Sequence, residues 1–153
     1  WCLIKIRGIV MKNILIILIL FNSIIAASNA EDYSDVSVSR IIKVIDGDTF
    51  RVDINELPDI IGKNIRIRIL GINAPEINGK CAFEKELAIK ARDFVQILLN
   101  NADLVVLKNL NRGNFFRLLA EVIVDGKNLG ELLVANDLAV RYQGKKKSSW
   151  CAK

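Results

Sequence analysis

Residues 64–72 read N-I-R-I-R-I-L-G-I, and this two-residue alternation constrains the fold more than any other feature of the chain. Successive side chains of an extended segment point to opposite faces, so Ile65, Ile67 and Ile69 share one side and Arg66 and Arg68 the other. Such a strand has a dry face that needs a covering layer and a wet face that is cationic. Similar signals recur along the chain. Residues 38–44 are rich in β-branched side chains, Asp46-Gly47-Asp48 marks a turn, and residues 49–54 alternate again. Residues 55–63, with Pro58 and Gly62, read as a connecting loop. Further on, residues 103–107 form a short strand, 111–114 a turn, 115–124 a long strand and 125–126 another turn. The period becomes helical between these groups: Phe83, Leu87, Ala91, Phe94 and Leu98 make one stripe, with Glu86 and Lys90 spaced to pair on the wet side. A second helix is predicted over about residues 129–136, before a final extended piece and the basic run Lys145-Lys146-Lys147. Three strands, a helix, two strands and a helix predict a mainly β, α+β fold: a five-stranded barrel of OB type with two to three helices. A different small α+β sheet is the alternative.

The 153 residues accommodate one such domain, expected over residues 38–153. The formal net charge is +5, but Lys5, Arg7 and Lys12 precede the domain and account for most of it. The remaining excess permits a polyanionic partner without identifying one. The N-terminal region is more informative. Met11-Lys12-Asn13 is a short positive segment, residues 14–25 are apolar apart from Asn22 and Ser23, and Ala26-Ala27-Ser28-Asn29-Ala30 precedes Glu31. That order is the layout of a secretory signal peptide over residues 11–30, cut near Ala30, and the apolar run is short for a membrane span. Contact with a membrane is therefore expected only in transit, through this peptide. Residues 1–10 read as translation upstream of the true start, and 31–37 as a flexible leader. An uncleaved anchor is the alternative. Export, to the periplasm or the medium, would place Cys81 and Cys151 in an oxidising compartment, where two cysteines commonly form one disulfide. Two buried free thiols remain the other option.

The chain contains no His. Imidazole bases, Ser-His-Asp triads and His-ligated zinc are excluded, so hydrolytic chemistry would have to use carboxylates, arginines and a hard cation held by oxygens. Asp46 and Asp48 flank Gly47 at a turn where two carboxylates can converge on calcium or magnesium, although most D-G-D turns are simply hairpins held by Asx hydrogen bonds. Glu76 follows Pro75 in a loop past a strand, a rigid position from which a carboxylate can orient or deprotonate water. Arg68 and Arg117 offer planar guanidiniums suited to the equatorial oxygens of a phosphorane-like transition state. Arg117 lies in an otherwise apolar strand, and pairing with Glu121 is its ordinary structural explanation.

Taken together, three segments resemble the thermonuclease, staphylococcal-nuclease-like family: V-I-D-G-D-T-F at 44–50, I-R-I-L-G-I-N-A-P-E at 67–76 and F-F-R-L-L-A-E-V-I-V-D-G-K-N-L at 115–129. The cysteine contexts K-C-A-F-E-K-E-L-A at 80–88 and S-S-W-C at 148–151 look like those of exported members. The resemblance implies an OB-fold, calcium-dependent endonuclease acting on DNA and RNA, single strands favoured, with little sequence preference and a 3′-phosphate product. It implies a monomer with no stable protein partner. By motif position Arg68 and Arg117 would bind phosphate and Glu76 would be the general base. Asp48 would ligate Ca2+ directly, with Asp46 beside it, Asn73 where the family usually has Asp, and Ala74 lending its carbonyl. Phe115 takes the place of an aromatic that packs on the nucleotide, and Tyr142 has a similar expected part. Two departures stand out. Asn73 removes a formal charge from the metal site, which leaves a non-cutting, single-strand-binding module as the second reading. Phe116 stands where a small residue is usual and is expected to crowd or re-aim Arg117. A purely structural or inhibitory surface protein ranks last.

Overall fold

A computed structural model describes residues 35–113, 116–144, 147 and 149–151. The expected signal peptide and most of the leader lie outside these residues. In chain order the elements are β1 (Val36–Ser37), β2 (Arg40–Asp46), β3 (Thr49–Asp53), α1 (Asp59–Gly62), β4 (Ile65–Ile69), β5 (Ile72–Asn73), α2 (Ala82–Asn100), β6 (Val105–Arg112), β7 (Arg117–Val124), β8 (Lys127–Asn128), α3 (Leu129–Ala135) and β9 (Val140–Arg141). The five strands of five residues or more, β2, β3, β4, β6 and β7, are those the alternation predicts.

The main sheet runs β1-β6-β7-β4-β3-β2, with β8 on β7, while β5 and β9 form a separate ribbon. β1 pairs with β6 and β2 with β3, so one bent stretch, residues 36–46, meets both ends of the sheet and curls it toward a barrel. Register shifts in β2 supply the bend. β4 and β7 lie parallel, a pairing that needs a long crossover, supplied here by α2 and β6. The result is a mixed α+β, OB-type half-barrel with three helices.

Phe50, Val52, Ile67, Ile69, Leu107 and Val122 line the interior and are fully buried. Each alternates with a wetter neighbour, as the two-residue period requires. The helix α2 follows a different seam from the predicted one. Ala88, Ala91, Val95 and Leu99 are buried, Leu87, Phe94 and Leu98 are half-buried, and Phe83 is exposed. Small side chains decide this. At Gly47 an added Cβ would lie 2.6 Å from Ala91 Cβ and 2.9 Å from Ala74 Cβ. The helix therefore approaches the β2–β3 turn across alanines, a distance that a seam centred on Phe83 and Leu87 would not permit. The connection before β4 contains the one-turn helix α1, and β6 extends to Arg112, which shifts the following turn later than predicted and starts β7 at Arg117.

Candidate active site

The β2–β3 hairpin places its two carboxylates in different environments. Asp46 ends β2 and accepts the backbone N–H of Asp48 through Oδ1 at 3.0 Å, the Asx bond common to such turns. Asp48 does more than close a turn. Its residue is 2% exposed. Oδ1 accepts the Thr49 hydroxyl at 2.9 Å and the Arg68 guanidinium, and Oδ2 accepts the Ala74 backbone N–H at 2.8 Å. One buried carboxylate thus joins the turn, the middle of β4 and the loop after β5. Burial first, and the neighbouring Asp48 charge second, push the Asp46 carboxyl from its ordinary 3.8 up to about 7, with a lesser contribution from the charge of Glu76.

Asn73 lies on β5 and is 2% exposed, and its Oδ1 has no hydrogen-bond partner among the described residues. A buried amide oxygen left unpaired is costly, and it suits a site completed by a ligand. Asp46, Asp48, Asn73 and the carbonyl of Ala74 would offer only oxygens, the donor chemistry that suits Ca2+. The residues present therefore fit a hard cation. Glu76 stands at the rim, half-exposed, its Oε1 accepting from Lys147 Nζ at 2.7 Å. Arg68 is mostly buried and its Nη2 also reaches the Ile72 carbonyl at 3.5 Å.

Arg117 opens β7. In the parallel register it is the direct neighbour of Arg66, and Leu119 that of Arg68. Direct partners share a face, so Arg117 lies on the same side of the sheet as Arg68, one strand across and two residues along. Glu121 sits opposite Lys108 in the ladder with β6. Tyr142 follows β9, donates its N–H to the Gly71 carbonyl at 2.8 Å and is half-buried. Phe115 lies outside the described residues. Phe116 has a backbone φ of +55°, is 88% exposed and lines the same groove as Arg117. The left-handed conformation at 116 is one that glycine adopts without strain, which accounts for the small residue usual there.

Cys81 and Cys151 are bonded, with Cα atoms 5.9 Å apart. The bond fastens the C-terminal tail, and with it the segment bearing Lys147, to the start of α2.

Several contributors are not legible in the sequence. The Ala74 N–H acts on Asp48 across 26 positions, a contact that only the fold creates. Lys147 belongs to a visible basic run, yet nothing in the chain points it at Glu76, 71 positions away. The nearest available signal was Gly47 between two acids, which marks a spot where backbone and helix must come close.

The family described as staphylococcal nuclease homologue matches residues 66–151, more than half of the chain. No curated protein matches it.

Proposed function

The chain belongs to the staphylococcal nuclease homologue family, and from that premise we propose that it is an exported, calcium-dependent endonuclease that hydrolyses phosphodiester bonds of DNA and RNA. Family membership supports a nuclease hydrolase acting on nucleic acid. The observation that supports the finer reading is the group of oxygens at the hairpin: Asp48 buried against Arg68, Asp46 beside it, and Asn73 Oδ1 with no partner among the described residues.

Asp48, Asp46, Asn73 and the Ala74 carbonyl would hold Ca2+, which when bound would neutralise charge at the phosphate and favour water as a nucleophile. Arg68, held on the site by Asp48, offers its remaining N–H groups to a non-bridging phosphate oxygen, and Arg117 approaches from the neighbouring strand on the same face. Glu76 takes the proton of the attacking water as the new P–O bond forms. The opposite P–O bond breaks and the departing oxygen takes a proton from solvent, leaving a 3′-phosphate. Lys147 orients Glu76 through its 2.7 Å contact with Oε1. The Cys81–Cys151 bond suits an oxidising compartment.

The test is digestion of single-stranded DNA and RNA with calcium or with EDTA. Fragments that require calcium are expected, and Glu76→Ala or Arg117→Ala should lower turnover by roughly 10²–10⁴-fold while the circular dichroism spectrum is unchanged. Full activity in either variant rejects its assigned role. A mobility shift without fragments would instead support the non-cutting module, for which the uncharged Asn73 is the favouring feature.

A further inference from the structure

Arg51, Arg66 and Arg117 are aligned across three neighbouring strands. Arg51 is the antiparallel partner of Arg66 on β3 and β4, and Arg66 is the parallel partner of Arg117 on β7. Three like charges set directly opposite one another on one face weaken a sheet, so strand pairing gives no reason for the row. The three line a groove of about 480 Å³ whose lining, among the described residues, also includes Lys63 and Arg112 and no carboxylate. Its apolar rim is exposed: Ile60 of α1 is 93% and Phe116 88% exposed. A bulky side chain held at φ +55° over a cationic channel has no packing role to explain it.

The geometry points to a second binding site: we propose that this groove seats a single strand of nucleic acid that extends beyond the cut phosphate. Two observations select this occupant. Charge complementarity favours a polyanion, since Arg51, Lys63, Arg66 and Arg112 line the groove with no acid among its described lining. Arg117 and Arg66 line the groove, and Arg66 lies two residues along β4 from Arg68, so a strand held at the hairpin site can continue into it. Arg51, Arg66 and Arg112 meet successive phosphates, and Phe116 offers its exposed ring to a base, a contact tolerant of sequence. This inference deepens the nuclease reading and rests on it for the direction of the strand, but its binding test does not depend on cutting.

Fluorescence anisotropy of a labelled oligothymidylate about twelve nucleotides long, read in EDTA over a series of salt concentrations, decides it. Each phosphate contact in a single strand contributes about 0.7 to the slope of log affinity against log salt, so Arg66→Ala/Arg112→Ala should lower that slope by about 1.4. Arg66→Lys/Arg112→Lys should restore it, which separates lost charge from lost fold. Phe116→Ala should weaken binding about tenfold with the slope unchanged. A slope and affinity equal to those of the parent protein in all three variants overturn the groove, and would leave its apolar rim to a protein partner. A protein that cuts DNA yet shows that equality loses only this inference. One that never cuts yet loses the slope keeps the groove and loses the nuclease reading.

Discussion

Asp46 shows how one side chain can oppose the fold it belongs to. Its carboxyl titrates near 3.8 when exposed and near 7 in the folded protein, because burial and the Asp48 charge disfavour its ionised form. The folded state thus holds the proton more tightly. That contribution to stability is complete below about pH 4 and is lost as pH rises through about 7. In EDTA the urea midpoint should fall over this interval, and Asp46→Asn should flatten the fall; an unchanged profile in that variant would show that another group is responsible. On the proposed reading calcium replaces the proton, so its affinity should climb over the same range, with proton release detectable by calorimetry in two buffers. Asp53 behaves oppositely. The Asn64 backbone N–H first, and the Arg40 guanidinium second, hold its carboxyl below the usual range, so its stabilisation is lost only under acid conditions, outside the Asp46 window.

At the scale of elements, the site depends on how closely α2 lies against the β2–β3 turn. The approach is possible because position 47 has no side chain and positions 74 and 91 carry only methyl groups. Gly47→Ala would place a methyl within 3.0 Å of both alanines, and Ala91 is fixed in α2. The expected cost is about 1–3 kcal/mol in a denaturant melt, the range for overpacked interiors. On the proposed reading calcium affinity should fall with it, because the turn that carries Asp46 and Asp48 must move. A variant with parent-like stability and binding would mean the helix is free to retreat. The same argument explains why a helical wheel centred on Phe83 and Leu87 misplaces the seam: periodicity counts hydrophobicity, whereas contact with the turn selects for smallness.

For the molecule as a whole, the Cys81–Cys151 bond is the longest-range constraint. It spans 70 positions and ties the tail, with the buried Trp150, to the helix that buttresses the site. Restricting a loop of that length in the unfolded chain contributes about 4.4 kcal/mol by the chain-entropy relation. Reduction, or Cys81→Ala/Cys151→Ala, should lower the guanidinium midpoint by a matching amount. Coincident midpoints for oxidised and reduced protein would show that the tail adds no constraint. The curled sheet has its own global consequence: parallel pairing of β4 with β7 aligns Arg66 with Arg117 and thereby sets Arg68 and Arg117 on one face.

By itself the sequence determined the strands and their faces, because a side-chain period of two is a local property of extended backbone, and it determined the absence of imidazole chemistry. It also identified Asp46, Asp48, Arg68, Glu76 and Arg117 as chemically capable residues, since their types and motif spacing are local facts. Only the tertiary structure decided which of them meet. The burial of Asp48 against Arg68 and Ala74, the Asn73 oxygen without a partner among the described residues, the reach of Lys147 to Glu76 and the cationic row across β3, β4 and β7 all depend on strand register and on dielectric environment. Those quantities arise from contacts between distant parts of the chain, and no window along it contains them.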